Sequence, residues 1–229
     1  YLSKYIICYI DDLVYFPNPS TAMNMFIRSL ELSENDEVLT TNHEYGAIER
    51  TWKFMSTQKG FIYKPIDIEL PYDEDQFVRL FKESISHRTK IIFLSSPNNP
   101  TGNMANRDQI EALLKTDLLV VVDEAYFEFC NTTVADMIPK YENLVVLRTM
   151  SKWAGLAGLR IGYGIMNPKL VNHIIDIKSP YNLSVASEAA LIAALKETDS
   201  LMSEVVKIVG ERERMYKLLQ DIDGIHPFP

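Results

Sequence analysis

The sequence contains little of what several classes of protein require. It has two cysteines, Cys8 and Cys130, which are too few for a disulfide framework and are typical of a reducing compartment. Its net charge of −8 argues against a nucleic-acid-binding surface, because phosphate binding needs clustered Lys and Arg. No apolar run reaches the length that spans a membrane. We therefore predict a cytoplasmic protein with neither a nucleic-acid nor a membrane partner.

Repeats, low-complexity tracts and Gly/Ser-rich linkers are also missing. What remains is ordinary globular chemistry, with 47% hydrophobic and 24% charged residues in a chain of 229. This length suits one large domain or one and a half ordinary ones. The chain begins at Tyr1 rather than at a methionine, which leaves open whether it is a fragment; any targeting segment would then be invisible.

The chain alternates between strand and helix patterns. Strands are predicted over 37–41, 61–66, 90–95, 118–123, 143–148 and 160–166, and helices over 21–32, 44–59, 72–85, 106–115, 168–177, 184–198 and 200–220. Gly60 is a plausible helix C-cap, and the pairs Asp73/Gln76 and Asn106/Gln109 have the spacing of capping boxes. The Val- and Leu-rich strands lack polar alternation, which predicts an α/β fold whose mostly parallel sheet is sandwiched by helices.

Polar residues follow three of these strands directly, in the loops "SPNNPTG" (96–102), "DEAYFEF" (123–129) and "TMSKWAG" (149–155). Ligands of open α/β sheets bind at the carboxyl ends of the strands, so the three loops should converge on one crevice. Lys152 is then either a solvated loop residue or a reactive amine held in that crevice. Most lysines are solvated surface residues, so a reactive role for Lys152 depends on which other residues line the crevice.

The segments "SPNNPTG", "VVVDEAY" and "TMSKWAGLAGLRIGY", in this order and spacing, resemble the fold type I pyridoxal-phosphate enzymes, specifically the class I/II aminotransferases. "KSPYNLS" and "ERERMYKLLQDIDGIHPFP" narrow the resemblance to the branch that contains histidinol-phosphate aminotransferase. The resemblance implies a cofactor-binding large domain over 1–180. It also implies a helical connection over 181–229 towards a small domain that is largely missing.

The resemblance assigns a role to each polar residue of the three loops. Lys152 would bind pyridoxal 5'-phosphate covalently and shuttle the proton, and Asp123 would pair with the pyridine nitrogen. The remaining positions implied are Asn99 and Tyr126 at the phenolate oxygen, and Thr149, Ser151 and Arg160 at the phosphate. Taken singly, Asp123 could be a strand-end cap, Asn99 a turn residue and Arg160 the partner of a surface acid.

The stretch from 16 to 52 is more similar to the class V branch of the same fold, which includes cysteine desulfurases and isopenicillin N epimerase. There Ser20 and Thr21 open a helix whose N-terminus would hold the phosphate, although they could equally be simple capping residues. The ring stacked on the cofactor would be His43 by the class V pattern, or Tyr45 by the aminotransferase pattern. Both branches use the same cofactor.

The function predicted from these resemblances is transamination, with histidinol phosphate as amino donor, 2-oxoglutarate as acceptor, a homodimer as the assembly and no metal. A class V lyase or epimerase is one alternative, and neither cysteine lies in a recognisable reactive loop, which counts against a desulfurase. A truncated, non-catalytic subunit is the other. No arginine of the chain matches the one that binds the substrate carboxylate in the family's small domain, and the N-terminal arm is absent or very short.

Overall fold

The computed structural model describes residues 1–71 and 73–227, and within them the chain folds around one seven-stranded sheet. The strands are β1 Leu13–Phe16, β2 Glu37–Thr41, β3 Ile62–Ile66, β4 Thr89–Ser95, β5 Leu119–Asp123, β6 Leu144–Thr149 and β7 Gly162–Met166. The α-helices are α1 Leu2–Ile6, α2 Pro19–Ser29, α3 Gly46–Lys59, α4 Glu74–Ser84, α5 Arg107–Leu114, α6 Pro168–Ile177, α7 Val185–Lys196 and α8 Thr198–Gln220.

The strand order is β1-β7-β6-β5-β4-β2-β3, and the sheet is mostly parallel, as predicted. Strands β3, β2, β4, β5 and β6 pair in parallel, whereas β7 is antiparallel to both β6 and β1. Because parallel strands point the same way, the last residues of β2, β4, β5 and β6 meet at one edge. Gly162 at the start of β7 pairs with Thr149, and Phe16 at the end of β1 pairs with Gly162, so both antiparallel strands reach that edge too.

Both faces of the sheet are covered, which explains why the strands lack polar alternation. In β4, Ile91 and Phe93 pack on one face and Ile92 and Leu94 on the other, all at most 2% exposed. Helices α2, α3 and α6 cover the first face. Helices α4, α5, α7 and α8 cover the second, where α8 contributes Val205. Side chains that alternate between two buried layers are therefore mostly apolar, and a buried exception such as Arg148 is paired with a carboxylate.

The three predicted capping positions lie at helix ends, although of the two predicted capping boxes only the one formed by Asn106 and Gln109 is reciprocal. Gly60 ends α3 with φ +78°, a left-handed conformation that favours glycine. Asp73 caps α4 by accepting from the backbone N–H groups of Asp75 and Gln76. Asn106 and Gln109 form the capping box of α5. Tyr72, with which the predicted helix began, lies outside the described residues.

Among the strands and α-helices, α1 and β1 were missed by the sequence analysis. Helix α1 has five residues, too few to show a helical period, and β1 has four and, within the described residues, pairs with β7 alone at the edge of the sheet. None of the helices in the described part of the chain is long and apolar enough to cross a membrane. The domain boundary at residue 180 stays a prediction, and the chain's last two residues, at the start of the expected small-domain strand, are outside the described ranges.

Candidate active site

A cavity of about 290 Å³ lies at the carboxyl edge of the sheet, and we name it the edge cavity. Its lining comes from the N-terminus of α2, from the start of α3 and from the loops that follow β4, β5 and β6. The predicted site residues among the lining are Ser20, Tyr45, Asn99, Asp123, Tyr126, Thr149, Ser151, Lys152 and Arg160. The strand topology therefore brings together the three loops that the sequence analysis expected to converge.

Asp123 forms the acidic end of the edge cavity. It is the last residue of β5, is 9% exposed, and accepts a hydrogen bond from the backbone N–H of Ala125 at 3.0 Å. Burial raises the pKa of Asp123 to about 7; the nearby carboxyls of Glu44 and Glu124 add to the rise and Lys152 opposes it. Asp123 therefore caps the end of the strand through its hydrogen bond with Ala125, and it also lines the cavity. A carboxyl so placed binds a cation readily.

The adjacent acid in the same loop has a different place. Glu124 is 2% exposed and receives hydrogen bonds from Arg148, with Nη2 2.8 Å from Oε2. Thr133 also donates to the Glu124 carboxylate, at 2.8 Å. This pair is fully satisfied inside the protein. Of the two carboxylates in "DEAY", the first therefore serves the cavity and the second holds the loop.

Lys152 stands in a tightly bonded turn after β6. The backbone N–H of Leu156 donates to the Met150 carbonyl at 3.1 Å, and Gly155 adopts φ +66° within that turn. The next residue, Trp153, is buried and stacks on Tyr5 of α1 with ring centroids 5.2 Å apart. The small residues around Lys152 are thus needed for the turn, which presents the amine at the cavity while its neighbour is anchored in the core.

Asn99 and Tyr126 form a pair on the wall of the cavity. Asn99 Nδ2 donates to the Tyr126 hydroxyl at 2.9 Å, and Lys152 Nζ lies 5.1 Å from the centroid of the Tyr126 ring. The turn in "SPNNPTG" is organised by Asn98 instead, whose side-chain oxygen accepts from the backbone N–H of Thr101 at 3.1 Å and from its hydroxyl at 2.9 Å. The turn chemistry thus belongs to Asn98, and Asn99 is left for the cavity.

Hydroxyls, a guanidinium and a helix N-terminus gather at the other end. Ser20 lies in the first turn of α2, Thr149 Oγ1 is 2.9 Å from Ser151 Oγ, and Arg160 lines the same space. Among the described residues, Arg160 has no carboxylate partner; it donates to the Ala157 carbonyl. The surface-pair interpretation of Arg160 is therefore not supported. Helix N-termini and guanidinium groups both favour anions.

Two residues that shape this end were missed. Asn18 caps α2 by accepting from the Thr21 backbone N–H at 2.8 Å and also lines the cavity; the polar residue before Pro19 was the available signal. Gly162 lies against it so closely that a Cβ there would be 2.8 Å from Asn18 Cα. Thr21, which the sequence analysis placed at the phosphate, is not among the described residues that line the cavity.

His43 and Tyr45 are separated by the structure. His43 Nε2 is 2.7 Å from the Ile68 carbonyl, and the residue lines a smaller cavity of about 30 Å³ on the other side of Ser95. Tyr45 precedes α3, is 49% exposed and lines the edge cavity. Of the two aromatic candidates, only Tyr45 is among the described residues that line it.

The edge cavity opens towards α8. A larger space of about 870 Å³ shares Pro97, Asn99 and Tyr126 with it, and Arg212 and Tyr216 of α8 line its far wall. A ligand in the edge cavity would thus be approached from a second, roomier compartment.

The model of the family Aminotransferase class I and II matches residues 11–229, and the chain belongs to this family. A curated relative, histidinol-phosphate aminotransferase of Dehalococcoides mccartyi strain CBDB1, is 33% identical over 231 residues, covering 100% of this chain and 62% of that protein. The enzyme of the same name from Roseiflexus castenholzii is 49% identical over 140 residues, covering 61% of this chain and 38% of that protein. The chain spans 38 to 62% of the length of these relatives.

A solved structure extends the likeness to the fold. Histidinol-phosphate aminotransferase from Sinorhizobium meliloti, in complex with pyridoxal-5'-phosphate, aligns with a TM-score of 0.82 at 23% identity, covering 100% of this chain and 61% of that one. L-threonine-O-3-phosphate decarboxylase from Porphyromonas gingivalis aligns with a TM-score of 0.78 at 21% identity. Proteins with different activities thus share this fold, so the substrate must be argued from the site.

Proposed function

We propose that this chain carries the cofactor site of a pyridoxal-phosphate-dependent aminotransferase, with histidinol phosphate as the amino donor and 2-oxoglutarate as the acceptor. The observation that carries the proposal is the convergence of Lys152, Asp123 and the Asn99–Tyr126 pair on the edge cavity. Family membership and the names of the relatives support the reaction class and the donor.

The edge cavity fits this cofactor in both charge and size. Asp123 suits a protonated pyridine nitrogen at one end, and the N-terminus of α2, the hydroxyls and Arg160 suit a phosphate at the other. Lys152 lines the same cavity, and Tyr45 offers a ring. About 290 Å³ is close to the lower bound of roughly 300 Å³ for small-molecule pockets.

The residues of this chain would divide the chemistry among them. Bound pyridoxal phosphate supplies an electron sink for a developing carbanion. Lys152 would hold the cofactor through Nζ and then move the proton at Cα of the amino donor. Asp123 would keep a proton on the ring nitrogen. The hydroxyl of Tyr126 and the amide of Asn99 would orient the ring oxygen.

The class V resemblance of residues 16–52 is a weaker second candidate. Its ring residue, His43, lines the separate small cavity, whereas Tyr45 lines the edge cavity. This placement favours the aminotransferase pattern for the stacking ring. Cys8 and Cys130 both have a pKa raised by burial, which disfavours the thiolate that a desulfurase needs.

The proposal is tested by trapping the cofactor on its lysine. Borohydride reduction of the protein loaded with pyridoxal phosphate, followed by peptide mapping, should place the label on Lys152. Lys152→Arg keeps the charge and should bind the cofactor without a reducible bond. Lys64→Arg, on the edge strand β3, is the matched control and should label normally. A label on another lysine, or none at saturating cofactor, would contradict the assignment.

The assembly and location are proposed with the function. We propose a homodimer in the cytoplasm, supported by two free cysteines and by exposed apolar side chains at Ile7, Tyr181 and Val185, which are 91%, 93% and 84% exposed. Apolar groups of this size are commonly covered by a partner. Sedimentation equilibrium should show twice the chain mass; a monomer at micromolar concentration would contradict the dimer.

A further inference from the structure

A second buried carboxyl lies behind the floor of the edge cavity. Glu44, in the turn between β2 and α3, is 7% exposed. Its Oε1 accepts from the Thr41 hydroxyl at 2.8 Å and its Oε2 from the Ser95 hydroxyl at 2.7 Å. Among the described residues, no lysine, arginine or histidine forms an ion pair with it. Backbone hydrogen bonds from Thr41 and Ser95 also favour the ionised form of Glu44, but none of these partners carries a charge that compensates a buried carboxylate.

The strand register places Glu44 next to the acidic end of the cavity. Ser95 pairs with Asp123 across β4 and β5, and Ser95 itself lines the edge cavity. Burial raises the pKa of Glu44, and the charge of Glu44 in turn raises the pKa of Asp123. Like charges in a site of low polarity oppose each other's ionisation, so an ionised Glu44 disfavours the ionised form of Asp123.

We propose that Glu44 is a positioning residue for the cofactor. Its charge, acting through Asp123, sets the pH below which the affinity of the site for a cationic ring nitrogen falls. The inference rests on the proposed function, that the edge cavity binds pyridoxal phosphate. It assigns Glu44 no contact with the cofactor. The Ser95 hydroxyl that it accepts from lies between it and the cavity.

The other charged groups do not replace Glu44 in this role. Lys152 faces Asp123 from the loop after β6 and favours its ionised form. Glu124 opposes ionisation of Asp123, but its own charge is compensated by Arg148. On the far side of Glu44, Tyr63 of β3 has a pKa raised by burial and stays neutral. Glu44 is thus the acid near Asp123 that has no cation of its own.

The test is the pH dependence of cofactor affinity. A cationic ring nitrogen pairs with ionised Asp123, so the affinity of the wild-type protein should fall below the pKa of Asp123, about 7. Below that pKa, protonation of Asp123 should lower the affinity about tenfold for each pH unit. Glu44→Gln keeps the shape and removes the like charge. Its midpoint should move to lower pH, so that below pH 7 it binds pyridoxal phosphate several-fold more tightly than the wild type.

Matched variants separate charge from shape. Glu49 lies on the exposed side of α3, where it pairs with Lys53, so Glu49→Gln should leave the pH midpoint of cofactor affinity unchanged. Thr41→Val removes one hydrogen bond that favours ionised Glu44, so the midpoint should move in the same direction as in Glu44→Gln but less. Titration of the cofactor's own phosphate is common to all variants and cancels in the comparison. Thr41→Val also decides the matter if Glu44→Gln fails to fold.

The failures are distinguishable. If the wild type binds no pyridoxal phosphate, the proposed function fails and this inference fails with it. If the wild type binds but Glu44→Gln has the same midpoint, only the inference is overturned. Uniform weakening of Glu44→Gln at every pH would show that Glu44 merely supports the fold.

Discussion

At the residue scale, neighbouring side chains of the same type have opposite uses. Asp123 and Glu124 are adjacent acids at the end of β5, yet one faces the edge cavity and the other is held by Arg148. Asp123 is the last residue of β5, whereas Glu124 follows the strand and lies within hydrogen-bond distance of Arg148 and Thr133. Asn98 and Asn99 divide in the same way between a turn and the cavity.

The role of Asp123 leads to a prediction at this scale. Asp123→Asn should still attach the cofactor to Lys152 but slow the loss of the Cα proton from a bound amino acid. Removing one member of a buried charge pair costs about 2 kcal/mol or more, which is roughly 30-fold in rate. The rate of Cα proton loss can be measured by NMR as the exchange of the amino acid's Cα proton for deuterium.

The matched control for that variant is Asp136→Asn. Asp136 is an exposed acid that pairs with Arg107 at 2.7 Å, away from the edge cavity, and its variant should exchange at the wild-type rate. An unchanged exchange rate in Asp123→Asn would make Asp123 structural only. The step near pH 7 in cofactor affinity should also vanish in Asp123→Asn, since that step is attributed to its carboxyl.

At the element scale, the site depends on how closely α2 approaches β7. The N-cap of α2, Asn18, lies against Gly162, where a Cβ would be 2.8 Å from Asn18 Cα and 3.2 Å from the Arg148 carbonyl oxygen. Both neighbours are backbone atoms, which cannot rotate away as a side chain can. The end of the cavity that we propose for the phosphate therefore requires glycine at this position.

Gly162→Ala should push α2 away from the sheet and weaken phosphate binding more than it affects the rest of the fold. We expect at least about tenfold weaker binding of pyridoxal phosphate, as for the loss of one charged hydrogen bond of about 1.5 kcal/mol. Calorimetric titration measures the affinity and circular dichroism the helix content. Pyridoxal, which lacks the phosphate, should lose much less affinity.

The control glycine is Gly210 in α8, where an added Cβ meets nothing within 4 Å. Gly210→Ala should leave cofactor affinity unchanged and raise the free energy of unfolding by about 0.5–1 kcal/mol, because alanine is the better helix former. Equal affinities of Gly162→Ala and Gly210→Ala for pyridoxal phosphate would refute the proposed close-packing requirement.

At the scale of the whole molecule, the proposed cofactor contacts all lie within this chain, whereas the sequence analysis identified no arginine for the substrate carboxylate. The chain spans 62% of the Dehalococcoides relative that it matches along its full length. Arg160 is the one arginine among the described residues that lines the edge cavity, and we have proposed it for the cofactor's phosphate. A substrate carboxylate needs its own guanidinium, since a planar fork matches a carboxylate in geometry and charge.

We therefore expect this 229-residue chain to bind pyridoxal phosphate but to transaminate histidinol phosphate or aromatic amino acids very weakly. The missing charged pair costs about 2–5 kcal/mol, or roughly one and a half to nearly four decades in affinity. Coupled assay of 2-oxoglutarate consumption measures the rate. A version extended by a small domain that carries the arginine should recover it.

Full-rate transamination by the 229-residue chain alone would contradict this expectation. It would mean that an arginine already present serves the carboxylate. Arg212 of α8 is then the first to replace, because it lines the larger compartment that adjoins the edge cavity, whereas Arg28 and Arg50 lie outside both lining sets of described residues.

Local pattern and motif alone were enough for most of the elements and for nine members of the edge cavity. Apolar runs without polar alternation predicted the buried strands, and capping residues predicted the helix ends, because both signals act within a few residues. The parallel arrangement then implied that the loops after β4, β5 and β6 share one edge. The short elements α1 and β1 carry too little local pattern to be found this way.

The tertiary structure decided between the candidates that the motifs left open, and it revealed the contacts that join distant segments. Tyr45 and His43 are two residues apart in sequence but line different cavities. His43 is held by the carbonyl of Ile68, which lies 25 residues further along the chain. The Asn18–Gly162 contact and the Glu44–Ser95 hydrogen bond likewise join distant segments. Burial and charge compensation are properties of the packed molecule, so the environment of Asp123 could not be derived from its neighbours in sequence.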